Sequence, residues 1–199
     1  MKLLSPELWL RQAKADEAAS RATGALAECH RRYFLQQAYE KAVKALALAC
    51  LTRKQSKDKQ LSSALGEHFL HHHTPWTVFS TKDDAAWADE LRLAYGAHGP
   101  TLLRELKLLR QQVAVRMQDR ADGRVVDAWK QIDGTRPRKA VDAVSYRYPF
   151  VDDAHVDGVA PKDWNGWSEY QGKEDVVRDA VAQLLRRAGD QVRIWNKGT

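Results

Sequence analysis

Residues 33–46 of this 199-residue protein have the sequence YFLQQAYEKAVKAL, and this stretch decides the fold. Its apolar residues recur at intervals of three and four, the spacing that brings side chains to one face of an α-helix. The apolar face comprises Phe34, Leu35, Ala38, Ala42, Ala45, Leu46 and Ala49. The pattern predicts an amphipathic helix over residues 31–51.

Similar patterns to either side predict further helices. Ser5 and Pro6 are typical of a helix start, and that helix is expected to continue to about Ala27. TRKQSKDKQ at residues 52–60 is interpreted as a polar connector. Later helices are predicted over about 60–71, from Ser80 or Thr81 to Gly96, and over 101–120 and 172–195. With no alternating, strand-like run, these segments predict an all-α, antiparallel helical bundle.

Composition and charge narrow the functional classes. Hydrophobic residues make up 44% and charged residues 29% of the chain, a globular balance. Cys29 and Cys50 have no spacing typical of a disulfide framework or zinc site, so we expect reduced thiols, a cytoplasmic location and no metal or other cofactor. No stretch resembles a signal peptide or a membrane span.

Basic residues are concentrated in one part of the sequence. The net charge is +6, and residues 101–150 contain eleven Lys or Arg against six Asp or Glu. Such an excess is typical of a surface that contacts a polyanion such as RNA. A solvated basic helix face is the alternative interpretation.

Three segments resemble the HEPN domain family. Tyr33–Leu46 resembles the family's signature helix, an aromatic residue, Gln-Ala, then Glu-Lys-x-x-Lys-Ala-Leu. Ser145–Pro149 (SYRYP) resembles the Arg-Tyr-Pro that precedes the last helix in one HEPN subgroup, and Trp9–Asp16 resembles the usual first helix. The resemblance covers about residues 5–72 and 143–195. It implies a four- or five-helix bundle formed by residues 1–75 and 140–199, with residues 76–139 as a helical insertion.

HEPN nucleases carry an Arg, four to six residues, then a His. The resemblance implies that Arg92 and His98, separated by five residues, form a catalytic pair at a dimer interface, with Arg147 as a further candidate. A His can transfer the proton of a ribose 2′-hydroxyl, and an Arg can bind the phosphate through charged hydrogen bonds. RNA cleavage of this kind needs no metal. His155 follows Arg147 by seven residues, which is outside the pattern.

Other residues are candidates for binding without catalysis. Glu40, Lys41 and Lys44 on the signature helix, with Arg147 and Tyr148, are predicted to contact RNA or a nucleotide. The alternatives are solvated lysines and a structural ion pair between Arg147 and Glu40. His71, His72 and His73 are consecutive and have no Cys or acidic residue nearby to complete a ligand set, so we predict no metal site there.

The family contains several functional types, and the fold does not choose among them. We expect a HEPN-like module that belongs to a prokaryotic defence or toxin–antitoxin system, forms a homodimer and is not a membrane protein. It is expected to bind RNA or a nucleotide, or to recruit a partner such as a nucleotidyltransferase or another defence protein. The alternative is a metal-independent HEPN endoribonuclease acting as a toxin.

Overall fold

A computed structural model describes residues 5–22, 28–66, 84–118 and 171–197. These ranges contain helices and short connections and no strand, which confirms the all-α prediction. The helices are α1 (Pro6–Ser20), α2 (Glu28–Cys50), α3 (Arg53–Lys57), α4 (Lys59–Leu65), α5 (Asp84–Tyr95), α6 (Gly99–Gln118) and α7 (Gln171–Lys197), with a 3₁₀ turn at Gly96–His98 between α5 and α6.

Three long helices, α1, α2 and α7, form the centre of the bundle. Lys41 of α2 contacts Asp16 of α1, while Lys44 contacts the earlier Trp9, so these two helices run antiparallel. The predicted apolar face of α7 is buried, as are the alanines of α2. Because alanine side chains are short, the α2 backbone lies close to its neighbours, which favours dense packing. The buried α7 residues are Val177, Ala180, Val181, Leu184, Leu185, Ala188 and Val192.

An arginine on α7 connects that helix to the end of α1. Arg178 donates from Nη1 to Ser20 Oγ and from Nη2 to the Ser20 carbonyl oxygen, both at 2.9 Å. Its Nε donates to Glu174 at 2.8 Å. The last carbonyl groups of a helix have no hydrogen-bond donor within that helix. The Arg178 guanidinium supplies a donor to one of them at the end of α1 and thereby holds α7 beside α1.

The predicted connector at residues 52–60 is wrong, because it contains α3 and the start of α4. Thr52 and Gln55 form a reciprocal capping box, and the Asp58 carboxylate accepts from the backbone N–H groups of Gln60 and Leu61. These caps satisfy the backbone donors that begin each helix, which offsets the polar composition of the segment. The helix predicted over about residues 60–71 is described as α4 up to Leu65, and residues 67–71 lie outside the described residues.

Helix α5 packs against α6, and α6 contacts α2 and α4. Leu91, Leu106 and Val113 are fully buried and belong to the same hydrophobic core as the α1–α2–α7 centre. The described part of the predicted insertion therefore shares the core of the bundle. Leu93 on α5, by contrast, is 90% exposed.

The turn between α5 and α6 depends on two glycines. Gly96 has φ +56°, a left-handed conformation that glycine adopts without a steric penalty. At Gly99 an added Cβ would lie 2.6 Å from the Leu91 carbonyl oxygen. Glycine therefore permits the close approach of the two helices. Among the helices described, none combines the length and apolar character needed to cross a membrane.

Candidate functional site

Lys41 of α2 is held by a carboxylate of α1. Its Nζ lies 2.5 Å from Oδ2 of Asp16, whose side chain is 8% exposed. Gln12, one turn earlier on α1, donates to the other oxygen of Asp16 at 3.0 Å. The Lys41 charge is therefore neutralised in a buried, hydrogen-bonded contact between α1 and α2.

Glu40 is buried on the same helix, at 2% exposure. Its two carboxylate oxygens accept from Gln36 Nε2 at 3.1 Å and from Gln37 Nε2 at 3.4 Å. Gln36 is itself fully buried. Because a buried carboxylate requires hydrogen-bond donors, these amides explain the Gln-Gln pair that precedes Glu40 in the sequence.

Lys44 lies against an aromatic ring rather than extending into solvent. Its Nζ is 5.1 Å from the centre of the Trp9 ring, within the range of a cation–π contact. Burial lowers the pKa of Lys44, and the nearby Glu40 carboxylate opposes part of that decrease. Glu40, Lys41 and Lys44 are thus grouped on α2, with the two lysines held by side chains of α1.

Two of the residues predicted from the family resemblance, Arg147 and Tyr148, lie outside the described residues. The predicted ion pair between Arg147 and Glu40, and the alternative pairing of Arg147 with His155, stay predictions for the same reason. The histidine tract at residues 71–73 also lies outside the described part.

His98 lines a cleft between the short helices and α6. The cleft has a volume of about 450 Å³, and Lys54, Gln55, Asp58 and Glu105 also contribute to its wall. Gln55 Nε2 donates to Glu105 Oε2 at 2.6 Å across this cleft. The wall of the cleft therefore contains Lys54 and the acidic residues Asp58 and Glu105 as well as the exposed imidazole of His98.

Arg92 does not line this cleft. Its guanidinium lies 3.7 Å from the Asp89 carboxylate, and both side chains are more than three-quarters exposed. A surface ion pair of this kind contributes little to stability. The two members of the predicted catalytic pair therefore occupy different surroundings, His98 in a cleft and Arg92 on the open surface of α5.

The sequence analysis missed an exposed face on α6. Leu108 is 45% and Val115 64% exposed, and Arg104 lies on the same side of the helix. We refer to Thr101, Arg104, Leu108, Gln111 and Val115 as the outer face of α6. The spacing of these residues was visible in the sequence, but the apolar stripe of Leu102, Leu106, Leu109, Val113 and Met117 dominated the pattern.

Comparison with known proteins adds no family assignment: no family model, no curated protein and no solved structure matches this sequence.

Proposed function

We propose that this protein is a HEPN-like helical module that recruits a protein partner in a prokaryotic defence or toxin–antitoxin system. The support for the HEPN-like part is the order of three sequence segments, at residues 9–16, 33–46 and 145–149, together with the all-α architecture. The partner is a nucleotidyltransferase or another defence protein, and the module itself is a homodimer.

Recruitment of a protein is favoured over binding of RNA or a nucleotide by the surroundings of the two candidate lysines. Lys41 contacts Asp16, and Lys44 lies against Trp9. A phosphate would have to displace a buried carboxylate to bind Lys41, which would leave that carboxylate without its cation. The described part of the signature helix thus favours a structural role for both lysines.

The observation that carries the proposal is the distribution of exposed apolar side chains. The described residues contain five large, exposed apolar side chains, and three of these, Leu93, Leu108 and Val115, lie in residues 84–118. Leu108 and Val115 lie on one face of α6, and neighbouring exposed apolar side chains are typical of protein interaction sites. The remaining two are Leu8 on α1 and Ile194 on α7.

Affinity purification from the cells that produce the protein tests this proposal. A tagged wild-type protein is compared with the double variant Leu108→Ser/Val115→Ser and with the control Ile194→Ser by quantitative mass spectrometry. We expect a stoichiometric partner that the double variant loses and the control retains. A partner retained equally by all three proteins, or no partner, would contradict recruitment through α6. Light scattering of the purified protein measures whether it is a homodimer.

RNA cleavage is a second candidate function, and the location of His98 favours it. The exposed imidazole of His98 lines the same cleft as Lys54, and a proton carrier together with a cation is the combination that metal-independent cleavage at a ribose 2′-hydroxyl needs. Incubation of the protein with tRNA and total RNA tests this function. Cleavage that is lost in His98→Ala, Arg92→Ala or Arg147→Ala would support it. Absence of cleavage, or cleavage unchanged in all three variants, would remove it.

A further inference from the structure

We infer that residues 52–58, which contain α3, form a strap that opens as a unit and serves as the movable wall of the cleft at His98. The inference does not depend on the proposed recruiting function. The burial, the backbone geometry and the side-chain contacts of the strap support it.

The strap lies between two points at which the chain is anchored in the core. No residue of α3 is buried, whereas Leu51 before the strap is 5% exposed and Leu61 after it is 3% exposed. Thr52 and Asp58 have extended backbone conformations, with ψ of 160° and 116°. A helix of five residues is too short to be stable alone, and segments with few buried apolar contacts open at low free energy. The strap can therefore open while α2 and α4 stay packed.

Two side-chain tethers hold the strap against the bundle. On one side, Arg53 Nη2 donates to the Trp195 carbonyl oxygen of α7 at 3.1 Å, and the guanidinium carbon lies 3.5 Å from the centre of the Trp195 ring. On the other side, Gln55 Nε2 donates to Glu105 Oε2 of α6 at 2.6 Å. Because α3 has no buried side chain to assist them, these contacts determine how often the strap opens.

The side chain of Gln55 couples the helix to its tether. Its Oε1 accepts from the backbone N–H of Thr52 at 2.9 Å, which is one half of the capping box that begins α3. Its Nε2 makes the contact with Glu105. One amide group thus stabilises the start of α3 and binds α6. The helical form of α3 and its contact with α6 are therefore expected to be lost together.

Opening of the strap changes the cleft. Lys54 and Gln55 of the strap line it on one side, and His98 and Glu105 line it on the side of α6. The hydrogen bond between Gln55 and Glu105 joins the two sides. A strap that moves away from α6 widens the cleft of about 450 Å³ and uncovers Leu102, which lines the cleft and is 5% exposed. The strap thereby controls access to the cleft.

Hydrogen–deuterium exchange of the full-length protein measures the opening of the strap. We expect the amides of residues 55–58 to exchange at least about 100-fold faster than those at the centre of α2, because local opening needs less free energy than global unfolding. Residues 61–65 of α4, which contain buried side chains, are a second reference and should also exchange more slowly than the strap.

Variants at positions 55 and 105 test the tether to α6. Gln55→Glu keeps an oxygen that accepts from Thr52 but removes the donor to Glu105, so exchange of the strap should accelerate about tenfold. Gln55→Glu/Glu105→Gln restores a donor and an acceptor, so exchange should return to within about twofold of wild type. The control Lys57→Gln makes the same change of charge on α3 without altering either tether and should change exchange by less than about threefold.

Arg53→Lys tests the tether to α7. Lysine keeps the charge but loses the planar contact with the Trp195 ring. We expect exchange of the strap to accelerate several-fold while the centre of α2 exchanges as in wild type.

Electron paramagnetic resonance tests whether the strap controls the cleft. Spin labels are attached after Lys54→Cys and Thr101→Cys, at exposed positions on the two sides of the cleft, in a protein that also carries Cys29→Ser and Cys50→Ala. Dipolar broadening between the labels should decrease in Gln55→Glu and recover in Gln55→Glu/Glu105→Gln.

Four outcomes would overturn the inference. The first is a strap that exchanges as slowly as the centre of α2. The second is a Gln55→Glu protein in which the strap exchanges as in wild type, or in which the strap and α2 accelerate equally. The third is a failure of the double variant to restore slow exchange. The fourth is dipolar broadening that Gln55→Glu leaves unchanged, which would show that the cleft does not widen.

Discussion

Nζ of Lys41 lies 2.5 Å from Oδ2 of Asp16, and this contact joins α2 to α1 in a largely buried position. The two helices also meet through Lys44 and Trp9. Lys41 and Lys44 therefore take part in the packing of α2 against α1. For this reason we place the binding of a partner on the exposed surface of α6 rather than on α2.

Removal of the Asp16 charge is expected to destabilise the fold. Asp16→Asn leaves a partly buried Lys41 ammonium without its carboxylate and should lower the free energy of unfolding by about 1–3 kcal/mol. Urea denaturation measures the change. The control is Asp190→Asn, which removes an exposed ion pair with Arg193 and should change stability by less than about 0.5 kcal/mol.

A double substitution checks the cause of that loss. Asp16→Asn/Lys41→Met removes both charges and should recover part of the stability, because the cost arises from the unpaired ammonium. Equal stability of the single and double variants would show that the ion pair is not responsible.

The contact between α7 and the end of α1 depends on the planar guanidinium of Arg178. Arg178→Lys keeps the charge but replaces the planar fork of three donor nitrogens with a single nitrogen, so we expect it to lose part of the hydrogen bonding to Ser20 and Glu174 and about 1–2 kcal/mol in the free energy of unfolding. Thermal or urea unfolding gives the value. The matched substitution Arg193→Lys lies on the exposed surface of the same helix and should have little effect. An equal loss in both variants would contradict the role given to Arg178.

Three glycines should respond differently to substitution by alanine. Gly99→Ala places a Cβ against the backbone of Leu91 and Arg92, so it should prevent the close approach of α5 and α6 and lower stability most. Gly96→Ala meets open space, but its positive φ should cost about 1 kcal/mol. Gly189→Ala makes only an ordinary contact with Leu10 inside α7 and should gain about 0.5–1 kcal/mol. Denaturation of the three variants measures this order. A Gly99→Ala protein as stable as wild type would contradict the described turn.

Alkaline pH should destabilise the protein partly through Cys50. Burial raises the pKa of this thiol from 9.0 to about 11, against the opposing effect of Arg116. The folded state therefore holds the proton more tightly than the unfolded state. Its contribution to stability is complete below about pH 9 and is lost as the pH rises through 11.

The variant Cys50→Ala isolates this contribution. Between pH 8.5 and 10.5, wild type should lose more free energy of unfolding than Cys50→Ala, since both proteins share every other titrating group. Parallel losses in the two proteins would show that the Cys50 thiol does not titrate differently in the folded and unfolded states.

The long helices were predictable because their apolar periodicity is repeated over many turns. All six residues predicted to face inward on α7, from Val177 to Val192, are buried. The short helix α3 was missed, and the start of α4 was placed one residue late, because capping rather than an apolar stripe defines these two helix starts. Thr52, Gln55 and Asp58 carried that signal, but the basic composition of the segment concealed it.

The site was less predictable than the fold. Side-chain partners such as Asp16 for Lys41 lie 25 residues apart in sequence, and no local pattern specifies such a contact. The exposure of Leu108 and Val115 depends on which face of α6 packs inward, and that is decided by the rest of the bundle. Arg147 and Tyr148 lie outside the described residues, so their predicted roles remain predictions.

Site-specific photo-crosslinking in the producing cells tests the central claim most directly. A benzophenone amino acid is placed at position 108 on α6 and, as a control, at position 194 on α7. The account predicts a discrete crosslinked complex with one protein at position 108 and none at position 194. No crosslinked complex at position 108, or the same complexes at equal yield from both positions, would contradict recruitment through the outer face of α6.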